Sequence, residues 1–207
     1  MIFTKHVLCI ALFAAALPFA DRSFAQEAPA ARSAARHFDL YAHFNTTMGE
    51  MVAILFPERE PVTVENFIAL AEGKKATFTK DLKFVHKPFY NGLEFHRVIR
   101  YFMIQAGVVK DGVPCGAANI HDEFDSARSF TTPFVLAMAN AGHPNSSNCQ
   151  FFITVTPQKP LDGAYTMFGQ LVSGQEVATA ISEVPVKKER PVTPVIIKSV
   201  TIERRPK

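Results

Sequence analysis

The sequence predicts a mainly β domain, a barrel or sandwich of short strands carrying two helices. Short strand-like runs recur at near-regular intervals, each bounded by Gly, Pro or Asn. Only two segments place apolar residues at helical spacing. The chain of 207 residues is long enough for one such domain behind a leader, and no second domain is needed.

The leader comes first. Met1 to Lys5 make a short basic start, and Val7 to Ala20 form an uncharged apolar run. That run falls short of the roughly 20 residues that span a bilayer. Asp21 and Arg22 end it, and Ser23-Phe24-Ala25 offers small residues at the first and third places before a cut, so cleavage is expected after Ala25. Residues 1–25 are thus read as a signal peptide, and the mature protein is expected in the periplasm or medium. Residues 26–36 are rich in Ala, lack strand alternation and read as a flexible tether, leaving 37–207 as the folded domain. Without the leader, 20 basic residues face 18 acidic ones, an excess too weak to predict a nucleic-acid or membrane partner.

From His37 to Phe56, Phe38, Leu40 and Phe44 share one side, Thr47-Met48-Gly49-Glu50 reads as a turn, and Met51 to Phe56 resumes as a strand buried on both faces. Pro57 and Pro61 then open a helix with Val64, Phe67, Ile68 and Ala71 on one side and Gly73 at its C-terminal cap. Lys74 to Pro88 is basic and aperiodic, an exposed loop. Leu93 to Ile104 reads as two strands with Arg97 between them in sequence, and Gly107 to Asn119 as loop. Phe134 to Met138, Gln150 to Thr156 and Thr166 to Val172 are further strands, Glu176 to Ser182 is the second helix, and Val195 to Ile202 closes the sheet.

Six blocks, taken together and in order, resemble the cyclophilins: Phe95-His96-Arg97-Val98-Ile99, Phe102-Met103-Ile104-Gln105, Met138-Ala139-Asn140-Ala141-Gly142, Asn148-Cys149-Gln150-Phe151-Phe152-Ile153, Leu161-Asp162-Gly163 and Phe168-Gly169. The likeness covers essentially the whole domain, and the Lys74 to Pro88 loop resembles the longer form of bacterial exported members. It implies a closed antiparallel barrel of eight strands capped by two helices, with substrate in an outer groove. It also implies a monomeric peptidyl-prolyl cis/trans isomerase that acts on proline-containing unfolded or exported polypeptides without a cofactor.

Family roles carry over where residues match. Arg97 is implied as catalytic with Gln105 beside it, Phe102, Met103, Phe152 and Leu161 as walls of a proline pocket, Gln150 as a polar contact, and Ala139 with Asn140 as holders of the substrate backbone. An arginine suits this chemistry. Amide resonance makes rotation cost roughly 18–20 kcal/mol, and a charged donor aimed at the proline nitrogen stabilises the twisted amide more than either planar form. Phe67, Phe95, Phe151 and Phe168 are read as core instead, and His96 as a structural group.

The chain departs from the family at the groove. Pro160 stands where many members have tryptophan, Tyr165 where many have histidine at the pocket floor, and Arg100 where proline is common. The resemblance places the loops of Cys115 and Cys149 on the same side of the groove, which allows a disulfide in an oxidising compartment; two separate reduced thiols are the alternative. The remaining histidines fall into no metal-ligand spacing, so no metal is expected. A proline-binding module without turnover competes with the enzyme, whereas a hydrolase lacks any Ser-His-Asp or paired-carboxylate motif.

Overall fold

A computed structural model describes residues 38–109 and 113–207. The expected signal peptide, its cleavage site and the tether lie outside the described residues, as do 110–112 of the expected Gly107 to Asn119 loop.

Strands β1 (Phe38–Thr46) and β2 (Gly49–Leu55) form the expected hairpin. Its turn is tighter than expected, because Gly49 and Glu50 already pair with Thr46 and Asn45. The Thr46 hydroxyl locks it, accepting from Met48 N–H at 3.0 Å and donating to the Gly49 carbonyl at 2.7 Å. Helix α1 (Pro61–Ala71) starts on proline and stops before Gly73, whose φ of +72° is the left-handed cap only glycine takes without cost. It buries Val64, Phe67, Leu70 and Ala71, with Ile68 only packed against the rim of the core. The N–H groups of Val62 and Thr63 donate to the Glu123 carboxylate at 3.1 and 2.8 Å, an anion placed on the positive end of the helix dipole.

The Lys74 to Pro88 loop contains a hairpin that its composition hides, β3 (Ala76–Phe78) against β4 (Phe84–His86), with the Phe78 and Phe84 rings edge-on at 5.2 Å. Three-residue strands are too short to show alternation. Next come β5 (Arg97–Ile99) and β6 (Met103–Ala106), so Arg97 opens a strand instead of separating two. Then follow β7 (Val135–Met138), β8 (Phe151–Thr154), β9 (Met167–Ser173), α2 (Gln175–Ser182), a small hairpin of β10 (Val186–Lys187) and β11 (Arg190–Pro191), and β12 (Ile197–Pro206).

The main sheet has eight strands in the order β12-β1-β2-β9-β7-β8-β6-β5. It curls, with register shifts at Asn45/Thr46, Val52/Ala53 and Leu136/Ala137 supplying the bends. The expected closed barrel is not formed: the sheet is an open, curled half-barrel whose edges are β12 and β5. Between those edges the described residues make one isolated bridge, Glu94 to Ile196, flanked by backbone hydrogen bonds from Gly92 to Ile197, Ile197 to Leu93 and Phe95 to Val195, but β5 and β12 themselves form no ladder. The reason lies at β5. It is only three residues long, and its Val98 N–H donates to the Glu189 carbonyl in the β10–β11 turn at 2.6 Å, so that turn covers the edge that β12 would need.

Strand alternation divides the apolar residues into two sets. The inner faces of β5 to β8 send Val98, Ile104, Ala106, Leu136, Met138, Phe151 and Ile153 into the main core. There Phe67, Phe95, Phe151 and Phe168 are each 0% exposed, as expected, and Phe67 lies 5.1 Å from Phe168 and 5.8 Å from Phe151. Tyr90 is wholly buried among them, its hydroxyl donating to the Cys149 carbonyl at 3.1 Å, and burial raises its pKa. The outer faces of β6 to β8 carry Met103, Val135, Ala137 and Phe152, which with Phe130 from the preceding loop and Met167 at the start of β9 form a second, smaller cluster. Among the described residues no α-helix contributes to this cluster, and the groove lies beside it.

Candidate active site

The groove is built by register. Arg97 on β5 stands directly opposite Gln105 on β6, and Gln105 directly opposite Phe152 on β8, so the three side chains rise from the same face in a row. Met103 precedes Gln105 by two residues and shares that face. Phe102, in the turn before β6, Leu161, at the end of the short 3₁₀ turn Lys159–Leu161, and Tyr165, in the segment after it, pack against the same cluster. Together with Ala139 and Asn140 after β7, these residues line a cavity of about 120 Å³. Nine of the ten expected site residues therefore meet there.

Gln150, the tenth, stands behind this wall. Its Oε1 accepts from Gln105 Nε2 at 2.9 Å, and Gln105 Oε1 accepts in turn from Arg97 Nη1 at 3.4 Å. A chain of amides thus leads to the guanidinium. Gly107 lets the two glutamines approach: at its φ of +98°, a Cβ would lie 2.4 Å from the Cys149 carbonyl oxygen and 2.7 Å from Gln150 Cα. Cys149 is itself joined to Cys115 by a disulfide, with Cα atoms 6.4 Å apart, so the Cys115 loop is fastened to the start of β8.

The apolar wall is held from outside. Phe152 stacks on Phe130 at 6.1 Å and meets Tyr165 edge-on at 5.3 Å, which holds Tyr165 in the cavity lining. Asp162 fixes the Leu161 segment, accepting from Ser129 Oγ at 2.6 Å and Phe130 N–H at 2.7 Å. The Ser129 hydroxyl first, then the Phe130 N–H, holds its carboxyl below the usual range. Asn140 ties the opposite rim, donating from Nδ2 to the Ala164 carbonyl at 2.9 Å while its Oδ1 takes Gly142 N–H at 3.1 Å. With the side chain so engaged and the Ala139 N–H donating to the Gln150 carbonyl at 2.9 Å, this rim is fixed to its neighbours.

Sequence reasoning missed one partner of Arg97. Its Nε donates to Glu189 Oε2 at 2.7 Å, across 92 residues of sequence. No local pattern signals such a pair. His96 is half-buried and Arg100 pairs with Glu183 at 3.1 Å; neither lines the cavity. Pro160 sits in the 3₁₀ turn without lining it either. Among the described residues no group of three His, Cys, Asp or Glu is placed to hold a metal ion, and no helix is long and apolar enough to cross a membrane.

Residues 41–202 match the family model for cyclophilin type peptidyl-prolyl cis-trans isomerases. The chain is 39% identical over 173 residues to peptidyl-prolyl cis-trans isomerase B of Streptomyces anulatus, covering 80% of this chain and 98% of that one. It is 40% identical over 169 residues to peptidyl-prolyl cis-trans isomerase A of Mycobacterium tuberculosis, covering 78% and 91%. A crystal structure of a Cryptosporidium parvum cyclophilin type peptidyl-prolyl cis-trans isomerase, determined in the presence of the dipeptide Ala-Pro, aligns with a TM-score of 0.67 at 27% identity, over 79% of this chain and 98% of that one. Family model, relatives and fold converge, and the chain belongs to the cyclophilin-type peptidyl-prolyl cis-trans isomerases.

Proposed function

We propose that this isomerase acts on X-Pro bonds of exported polypeptides and assists their folding, with Arg97 as its catalytic residue. The observation that carries the proposal is the cavity shared by the Arg97 guanidinium and the Phe102, Met103, Phe152 and Leu161 side chains. The apolar wall takes the proline ring. The backbone at Ala139 and Asn140 holds the preceding residues, and the proline nitrogen is brought near the guanidinium.

As the bond twists, resonance is lost, the nitrogen becomes pyramidal and gains a lone pair. A donor waiting there stabilises the twisted amide and leaves both planar forms unaffected. Because the donor is already oriented by Gln105, little reorganisation is needed during the reaction. No bond is made or broken and no proton changes hands. This geometry supports turnover over mere holding, since a proline-binding module needs the wall and not the fork.

The exported setting is supported by the leader-like N-terminus and by the Cys115–Cys149 disulfide, a pairing that persists in oxidising compartments. Acceleration of isomerisation in short X-Pro peptides tests the reaction, and a rate equal to the uncatalysed one overturns it. N-terminal sequencing of protein from the medium or periplasm tests the location: a start at Gln26 is expected, and protein retained inside the cell with Met1 intact counts against export.

A further inference from the structure

The β10–β11 hairpin brings an acidic side chain to Arg97 in a way its own conformation does not favour. Val186 pairs with Pro191 and Lys187 with Arg190, so Lys188 and Glu189 form a two-residue turn. Both have positive φ, +51° and +64°. That geometry is ordinarily met by Asn-Gly, because a Cβ crowds the backbone in the left-handed region. Here it is filled by lysine and glutamate, and the surroundings must hold it.

Three contacts do so, and all lead to β5 or the residues just before it. The Glu189 carbonyl accepts from Val98 N–H at 2.6 Å, next in sequence to Arg97. Arg190 pairs with Glu94, three residues before Arg97. The Glu189 carboxylate takes Arg97 Nε at 2.7 Å. Of the two bonds recorded for the guanidinium, this is the shorter and the charge-assisted one; the bond to Gln105 spans 3.4 Å. With its side chain 42% exposed, Arg97 has few packed neighbours to choose its rotamer. A guanidinium has five N–H donors, and these two bonds use one at Nε and one at Nη1, which leaves the remaining Nη donors for the groove.

We infer that Glu189 is a positioning residue for the isomerase reaction, the carboxylate that fixes the Arg97 guanidinium in the orientation from which it meets the twisted amide. The inference rests on the reading of Arg97 as catalytic. It assigns the β10–β11 hairpin a task beyond covering a sheet edge: the hairpin carries the anchor of the reacting donor. A Glu189 that holds the donor, and touches no substrate, affects the rate after binding and leaves binding itself alone.

The test uses the mature protein with Glu189→Ala, Glu189→Gln, Arg97→Ala and the Arg97→Ala/Glu189→Ala pair. Steady-state isomerisation of an X-Pro peptide is measured alongside hydrogen exchange at the Arg97 Nε–H by nuclear magnetic resonance. For Glu189→Ala, kcat is expected to fall about tenfold with KM within about twofold, the pattern of a contact used only in the transition state. Glu189→Gln keeps an acceptor at the same reach and should regain most of that loss. In the Arg97→Ala background, Glu189→Ala should add no further loss, since the two act as one unit. The Arg97 Nε–H should exchange faster in Glu189→Ala than in the parent.

Four results overturn the inference: unchanged kcat in Glu189→Ala when Arg97→Ala is strongly impaired; a rise in kcat, which makes Glu189 a restraint on Arg97; an equal loss in both backgrounds, which makes the hairpin merely structural; or unchanged exchange at Nε. If Arg97→Ala itself keeps full turnover, the catalytic reading of Arg97 fails first. The exchange measurement then still reports whether Glu189 holds the side chain.

Discussion

Replacing Glu60 with glutamine is expected to stabilise the protein at pH 8 and to leave it about as stable at pH 5. Glu60 precedes α1, is 1% exposed, and neither of its carboxylate oxygens has a hydrogen-bond partner. Arg128 is the nearest cation, with Nε 3.9 Å from Oε1, but Asp125 draws the same guanidinium at 3.6 Å, and its plane lies over the Phe56 ring at 3.5 Å. Burial therefore outweighs the help of Arg128, with Asp125 and Glu123 adding repulsion, and the carboxyl is pushed up to about 8 from an ordinary value of 4.5. Below pH 4.5 both folded and unfolded chains carry the proton. Above it the unfolded chain releases the proton and the folded one keeps it, so stability falls as pH rises toward 8. With a slope approaching about 1.4 kcal/mol per pH unit between the two values, the loss between pH 5 and pH 8 is about 3.5 kcal/mol. Glutamine has nearly the same volume and no charge to lose. Urea unfolding of both proteins at pH 5, 6, 7 and 8 measures the difference directly. Its growth with pH by several kcal/mol is the expected result, and a difference constant across the range refutes the reasoning.

Two further predictions concern the disulfide and the Pro160 position. Denatured, unreduced mature protein should show no titratable thiol, and replacing Cys115 and Cys149 by serine should cost about 3–4 kcal/mol, given the 34-residue separation the bridge closes; two titratable thiols in unreduced protein remove the bridge. Cyclosporin should bind weakly, because Pro160 offers neither the indole N–H nor the broad apolar face of the tryptophan found in many family members; inhibition as strong as that of tryptophan-bearing members contradicts this.

Much of the architecture is legible in the sequence because it depends on local patterns. The β1–β2 hairpin, α1 with its Gly73 cap, β7 to β9 and α2 all follow from alternation, helical spacing and punctuation by Gly and Pro. What escapes is whatever local pattern cannot encode. β3, β4, β10 and β11 have two or three residues each, too few for a period. The openness of the sheet depends on the Glu189 carbonyl meeting β5 from far along the chain. At the site, period two on β6 already puts Met103 and Gln105 on one face, but nothing in the residues says that this face is a groove and not core. The six blocks of family likeness point to a groove, and they single out residues that line the cavity. Glu189, Glu123 and Asp162 act instead by fixing other elements, each through contacts across at least 32 residues.

The proposed mechanism concentrates its catalytic effect in one side chain, and changing Arg97 to alanine tests it most directly. Bringing a step of tens of seconds to milliseconds requires about 10⁴-fold acceleration, or about 5.5 kcal/mol. A preorganised charged donor in a groove can supply several of those kcal/mol. The measurement is turnover of an X-Pro peptide together with thermal unfolding, for the parent and Arg97→Ala. The account predicts a loss of most activity, a residual rate from the apolar pocket, and an unfolding curve almost unchanged, as expected for a side chain 42% exposed. Near-native turnover in an Arg97→Ala protein that unfolds normally contradicts it.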